Sequence, residues 1–334
     1  MTIDVAILGA TGMVGQRFVQ LLANHPTFRV AELCASERSV GKRYEDAAPW
    51  RLSGDNPMPD AVVGPCDPGA VRSPVVFSAL DSATALIVEP AFRDAGRAVL
   101  TNASPFRMAA GVPLLIPEVN PEHAEWVRGK AGFIVANPNC THQAMTIALA
   151  PLHRRWGVEA VCVASYQAVS GAGYPGESAW DMLGNVHPHA GDEEEKVASE
   201  PQKILDAPDL RISARCVRVP VADGHLVAVQ AKLRVDPGPD AIREALASFV
   251  GPYALHSSPR PLIHLLSQRD RPTPKLDADR GGGMAVSIAR VERCEVFTVK
   301  FFALAHNAIR GAAGGALANA ELLVAKGILA LGVA

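Results

Sequence analysis

The chain has 334 residues, 49% of them hydrophobic and 20% charged, with a net charge of −2. That balance is ordinary for a soluble globular protein, leaves room for two domains, and gives no reason to expect a polyanion partner such as nucleic acid. No apolar run reaches the roughly 18 residues of a membrane span. The N-terminal MTIDVAILGATG lacks the basic region and cleavage site of a secretory signal. Cysteines at 34, 66, 140, 162, 216 and 294 have no Cys-x-x-Cys spacing, which argues against a zinc site or a disulfide framework and points to a reducing cytoplasm.

In chain order, the apolar run at 3–8 predicts a strand, GATGMVG a glycine-rich turn, and QRFVQLLANH an amphipathic helix. Further strands are predicted at 29–36, 74–80, 98–103 and 132–138, separated by helical or loop segments as in a doubly wound parallel sheet. From Thr141 to Leu152 the pattern is helical. Beyond it, long valine-rich runs at 159–170, 215–221, 225–235 and 284–305 predict antiparallel strands of a mixed α+β domain. Helices are expected at 192–205 and 239–250, and an alanine-rich one at 310–327. The division that follows is a Rossmann-like domain over 1–138, completed by the C-terminal helix 310–334, and a second domain over 139–309.

The glycines Gly9, Gly12 and Gly15 have the spacing of a dinucleotide loop. The first makes the turn after the strand, the second admits a pyrophosphate, and the third lets the helix pack against the strand. Thr11, Met13 and Val14 between them join the expected cofactor contacts. At the end of the second strand Ser36, Arg38 and Ser39 suit the 2′-phosphate of NADP. Glu37 among them keeps NAD open, since an acid there would hold a ribose hydroxyl.

Cys140 stands between Asn137-Pro138-Asn139 and the helical run. On the first turn of a helix, unpaired N–H groups and the helix dipole stabilise a thiolate. A thiol following a nucleotide domain suits carbonyl chemistry through a thioester.

Taken together, GATGMVG, TNASPFRM, IPEVNPEH, NPNCT, YQAVSGAGYPG, EEEK with VASE and PQKIL, RVPVADGH and HNAIRGAAGGALANAELL resemble the aspartate-β-semialdehyde dehydrogenase family, in its archaeal and fungal-type branch. The motifs run in order from residue 5 to about 327. The resemblance implies that Cys140 is the nucleophile, that His225, titrating near neutrality, is the general acid/base, and that Gln167 orients the acyl group or nucleophile. It implies that Arg218 grips the substrate α-carboxylate, that Glu193 and Lys196 meet the amino group and phosphate, that Arg107 is a second phosphate contact, and that Asn139 lies among the substrate contacts. Asn307 would lie near the nicotinamide, and Ser170, Gly171 and Gly173 would form a close-approach loop for the cofactor. One local departure is His142, where the family more usually has Thr or Ser.

The implied activity is reversible NADPH-dependent reduction of L-4-aspartyl phosphate to L-aspartate-4-semialdehyde and phosphate, feeding lysine, methionine and threonine synthesis, in a cytoplasmic homodimer or homotetramer. Two alternatives accompany it: an acyl-CoA reductase of the same architecture, such as one acting on malonyl-CoA, and a catalytically silent nucleotide-binding paralogue. Glu193 weighs against the first and the trio Cys140, Gln167 and His225 against the second.

Overall fold

The computed structural model describes residues 2–330. It divides into two compact units, one formed by residues 2–115, 122–137 and 312–330, the other by 116–121 and 138–311. The last four residues of the expected C-terminal helix, 331–334, lie outside the described residues.

The first unit contains β1 (Ile3–Leu8), α1 (Met13–Leu22), β2 (Phe28–Ala35), α2 (Tyr44–Ala47), β3 (Val63–Pro65), β4 (Val75–Ser78), α3 (Ser82–Asp94), β5 (Ala98–Thr101) and β6 (Phe133–Ala136). Its six strands pair in parallel in the order β3-β2-β1-β4-β5-β6. This is the doubly wound arrangement expected from the alternating pattern, with the order reversing between β1 and β4. VVFS, AVLT and FIVA are buried at every position, as parallel strands flanked by helices require. Phe18 of α1 and Phe28 of β2 pack against Phe77 of β4 with ring centroids 4.8 and 6.1 Å away. The short β3 escapes the sequence pattern because three residues carry no period.

The second unit contains α4 (Cys140–Trp156), β7 (Val158–Gln167), α5 (Ala179–Met182), α6 (Glu193–Ile204), β8 (Arg211–Arg218), β9 (His225–Leu233), α7 (Pro239–Ala247), β10 (Ile263–Leu266), α8 (Pro274–Asp277), β11 (Val286–Arg293) and β12 (Val299–Ala305). The helix α9 (Gly314–Ala325) follows in the chain and packs on β5 of the first unit. The second sheet runs β10-β11-β12-β9-β7-β8. Its centre is antiparallel, but β7 pairs with β8 and β10 with β11 in parallel. The expectation of antiparallel strands throughout is thus corrected: α6 crosses between β7 and β8 and returns the chain in the same direction. The run 284–305 is two strands, turned at Cys294–Thr298 without a glycine or proline to announce it.

Along β9 the period of two sends His225, Val227, Val229 and Ala231 to the face that packs on α4. α4 is buried continuously from Thr141 to Leu152. On the opposite face Tyr166 is exposed and Ala164, Ala228 and Phe302 are half-buried.

Candidate active site

Register brings the first three side chains together. β7 pairs with β8 so that Gln167 lies opposite Arg218, and with β9 so that Tyr166 lies opposite Leu226. The ends of three neighbouring strands therefore present Arg218, Gln167 and His225 in a row. Against them stands the start of α4, whose first residue is Cys140. Asn139 caps this helix, its Oδ1 accepting from the Thr141 N–H at 2.9 Å. The cap starts the helix here and places Cys140 on its first turn, at the positive end of the helix dipole.

Cys140 Sγ lies 3.4 Å from His225 Nε2. The other ring nitrogen, Nδ1, accepts from the Ala168 backbone N–H at 3.0 Å. The neutral imidazole therefore carries its proton on Nε2, directed at the sulfur. His225 is buried, and burial, then the Arg218 charge and that of His306, push its pKa down to about 3. A histidine titrating near neutrality, as the residue type alone suggests, is corrected here: the site holds a neutral imidazole that donates a hydrogen bond.

Arg218 is buried, and its Nη1 donates to Gln167 Oε1 and to the Ala168 carbonyl, both at 3.0 Å. Its Nε has no hydrogen-bond partner among the described residues. A buried guanidinium with an orphan donor is a ready site for a carboxylate, whose oxygens accept. Gln167 is fixed from the other side, donating to Ser165 Oγ at 3.2 Å. Over this row lies Gly171: a Cβ there would come within 2.8 Å of Arg218 Nη1 and 2.9 Å of His225 Nε2. Asn307 donates to Ser170 Oγ and accepts from the Gly224 N–H, each at 2.8 Å, and so ties the 170 loop to the turn before His225. Gly173 has a left-handed φ of 75° that favours glycine.

Glu193 is turned inward from its charge run, its side chain only 15% exposed. Its carboxylate accepts from Asn139 Nδ2 at 2.9 and 3.1 Å and from Thr141 Oγ1 at 2.7 Å. Lys196 pairs with Asp192 at 2.7 Å and Glu193 at 3.3 Å. Burial opposes its charge, yet these partners prevail and raise its pKa. On the far side of the nucleophile is Gly311, in a π-helical turn over Ile309–Ala313. A Cβ at Gly311 would stand 2.5 Å from Cys140 Cβ, so only glycine leaves the thiol where it is. Arg310 beside it forms a fully buried pair with Glu118, Nη2 to Oε1 at 2.8 Å, and donates from Nε to the Met284 carbonyl at 2.8 Å.

The remaining expected residues belong to the first unit. Gly9 follows β1 with φ +73°, and a Cβ there would meet the Ala79 carbonyl at 2.7 Å, just past β4. A Cβ on Gly15 would lie 2.2 Å from the Gly9 carbonyl. Gly12 is the N-cap of α1 with no side-chain cap among the described residues, and the first turn after Thr11, with Met13 and Val14, has the backbone arrangement that suits an anion. These are the features a dinucleotide diphosphate needs, at the point where the strand order reverses. Ser36, Glu37 and Arg38 are exposed beyond β2, while Ser39 is buried with its N–H on the Ser36 carbonyl. Arg107 is buried and donates to the Asn102 carbonyl at 2.7 Å.

Residues 4–127 match the family described as semialdehyde dehydrogenase, NAD binding domain, and residues 149–310 that described as semialdehyde dehydrogenase, dimerisation domain. An aspartate-semialdehyde dehydrogenase of Archaeoglobus fulgidus is 44% identical, covering 98% of this chain and 100% of its own. One from Schizosaccharomyces pombe is 41% identical over 97% and 99%. The chain belongs to the aspartate-semialdehyde dehydrogenase family. Among solved structures, the Candida albicans aspartate-semialdehyde dehydrogenase with NADP superposes with a TM-score of 0.92 at 36% identity, over 98% of this chain and 100% of the other. Aspartate-semialdehyde dehydrogenase II of Vibrio cholerae superposes with a TM-score of 0.82 at 29% identity, over 97% and 99%.

Several residues of the site were not singled out from sequence. Glu118 and Arg310 are 192 positions apart, and no local signal joins them. Glu200 of α6, which accepts from the Asn139 N–H at 2.7 Å, had one: it follows Glu193 by seven residues, which on a helix returns it to the same face.

Proposed function

We infer that this chain catalyses the reversible NADPH-dependent reduction of L-4-aspartyl phosphate to L-aspartate-4-semialdehyde and phosphate. The observation that carries the reading is the Cys140–His225 contact of 3.4 Å with Arg218 and Glu193 beside it. A thiol is thereby set between a fork for a carboxylate and a carboxylate for an ammonium, the two charges of an α-amino acid.

In the proposed sequence the Cys140 thiolate, held by the α4 N-terminus and by the His225 Nε2–H, attacks the acyl carbon. Lys196 and Arg107 take the phosphate as the C–O bond breaks, leaving a thioester on Cys140. The Gly9–Gly15 loop, with Ser36, Arg38 and Ser39 at the 2′-phosphate, would hold NADPH, which would supply the hydride. The His225 Nε2–H then donates to the thiohemiacetal oxygen as negative charge develops there. Collapse of that oxyanion releases the aldehyde and restores the thiolate. Gln167, already anchored to Arg218, orients the acyl group. Asn139 holds Glu193, and Asn307 with Ser170, Gly171 and Gly173 shapes the nicotinamide side. We also propose that 1–138 with the C-terminal helix form the NADP domain and that 139–309 form the catalytic and dimerisation domain.

The test is NADPH formation from aspartate semialdehyde with and without phosphate. The reaction is expected to require phosphate and to prefer NADP to NAD. Glu193→Gln is expected to lower kcat/KM for aspartate semialdehyde about ten- to a hundredfold, the range for losing one charge-assisted contact. Because glutamine keeps an oxygen for Asn139 and Thr141, succinate semialdehyde, which lacks the amino group, is expected to be used almost as by the parent. Equal damage to both aldehydes assigns Glu193 a purely structural role. Better use of malonyl-CoA than of aspartyl phosphate replaces the reading with that of an acyl-CoA reductase.

Assembly as a homodimer through the open sheet face bearing Tyr166 and Phe302 fits the match of 149–310 to a dimerisation domain. Light scattering is expected to give twice the chain mass of 35.2 kDa. A mass of one chain rules the dimer out, and four chains favour the tetramer. A cytoplasmic location is supported by six cysteines of which none forms a disulfide. No described helix is long and apolar enough to cross a membrane.

A further inference from the structure

The backbone N–H of Asn139 precedes the nucleophile by one residue, and it is buried. In an ordinary capping box the N-cap N–H is satisfied by a glutamate or glutamine at the third helical position. In α4 that position is His142. The acceptor comes instead from α6: Glu200 Oε2 accepts from the Asn139 N–H at 2.7 Å. The same oxygen lies 2.8 Å from His142 Nε2, and His142 Nδ1 lies 2.9 Å from Thr146 Oγ1, one helical turn on. Asn139, His142, Thr146 and Glu200 are all buried. A Thr146 hydroxyl donating to Nδ1 leaves the ring proton on Nε2, so Glu200 Oε2 receives both bonds. Seven residues earlier on α6, Glu193 holds the Asn139 side chain and the Thr141 hydroxyl. The two glutamates thus grip both sides of the turn that carries Cys140.

We propose that Glu200, locked by His142, is a positioning residue for Cys140: it supplies from α6 the capping acceptor that α4 lacks, fixes the Pro138–Asn139 peptide, and so sets the following residue, Cys140, against His225. The histidine that departs from the family's usual Thr or Ser has a role on this view. It is the second anchor of a capping box split between two helices. Glu200 touches no reacting atom, and its effect passes through the peptide.

The test combines steady-state kinetics with the rate at which iodoacetamide alkylates Cys140, read peptide by peptide by mass spectrometry so that the other five cysteines do not contribute. Glu200→Ala is expected to lower kcat about 100-fold, the scale of an ångström of misplacement. Its KM for aspartate semialdehyde is expected to stay within about threefold, because Glu193 keeps its own three partners. Alkylation of Cys140 is expected to slow as well. Since one oxygen serves both donors, Glu200→Gln is expected to restore kcat and alkylation to within about fivefold of the parent. His142→Thr, which leaves the acceptor but frees it, is expected to cost about tenfold in kcat.

Parent-like kcat and alkylation in a folded Glu200→Ala overturn the proposal, as does a folded Glu200→Gln no better than the alanine variant. Should the alanine variant not fold, His142→Thr decides: unchanged kcat and alkylation overturn the proposal, and a loss in both supports it. The kinetic half rests on the reaction proposed above. The alkylation half needs no substrate, so failure of that reading and failure of this one are told apart.

Discussion

Cys140→Ala is expected to retain less than about 10⁻⁴ of parental turnover while binding NADP as the parent does. The thiol forms the covalent intermediate, whereas the features that fit the dinucleotide, Gly9, Gly12, Gly15 and the uncapped start of α1, belong to a different unit of the chain. Cys140→Ser is expected to be almost as inactive. Serine could be activated only by a base that takes its proton, and the nitrogen facing residue 140 already carries one, because Nδ1 is occupied by the Ala168 N–H. A thiol ionises far more readily and needs only a field that favours the anion, which the start of α4 supplies. Initial rates and a titration of NADPH fluorescence check both halves. Activity above a few per cent of the parent in either variant removes Cys140 as nucleophile, and a lost affinity for NADP shows that the thiol also holds the cofactor.

What could be read in the sequence divides by the distance over which each feature is determined. The first sheet follows from short buried runs separated by helices. The position of Cys140 follows from Asn139 and the apolar run beside it, all within a few residues. His225, Gln167 and Arg218 are different. They meet because three strand ends coincide in register, and the hydrogen-bonded partners there are 51 and 57 residues apart. Only the family resemblance named them together. The run DEEEK shows the limit of local reasoning from another side. By composition it is a solvated face, yet Glu193 is drawn inward by donors on Asn139 and Thr141, more than 50 residues earlier. Strand direction is hidden for a similar reason: the residue pattern of β7 and β8 is the same for parallel and antiparallel neighbours, and only the crossing of α6 decides.

His225→Asn is expected to lower kcat about 10³-fold, within the range for losing a positioned proton donor, with a smaller change in KM. Asparagine is too short to reach the sulfur from the β9 end while also accepting from Ala168. The second half of this prediction concerns pH. In the unfolded chain the imidazole takes a proton near its ordinary value of 6.5, whereas in the folded protein burial and the Arg218 charge delay that to about 3. Between those values the unfolded state binds more protons than the native state, so stability rises with pH. The contribution is complete above about pH 6.5 and is lost progressively as pH falls toward 3. One such group costs up to about 1.4 kcal/mol per pH unit, so the parent is expected to lose about 2 kcal/mol between pH 7.5 and 5 that His225→Asn does not lose. Denaturant unfolding of both proteins at the two pH values measures this directly. A difference between parent and variant that stays constant over the window means that the folded imidazole titrates at its ordinary value.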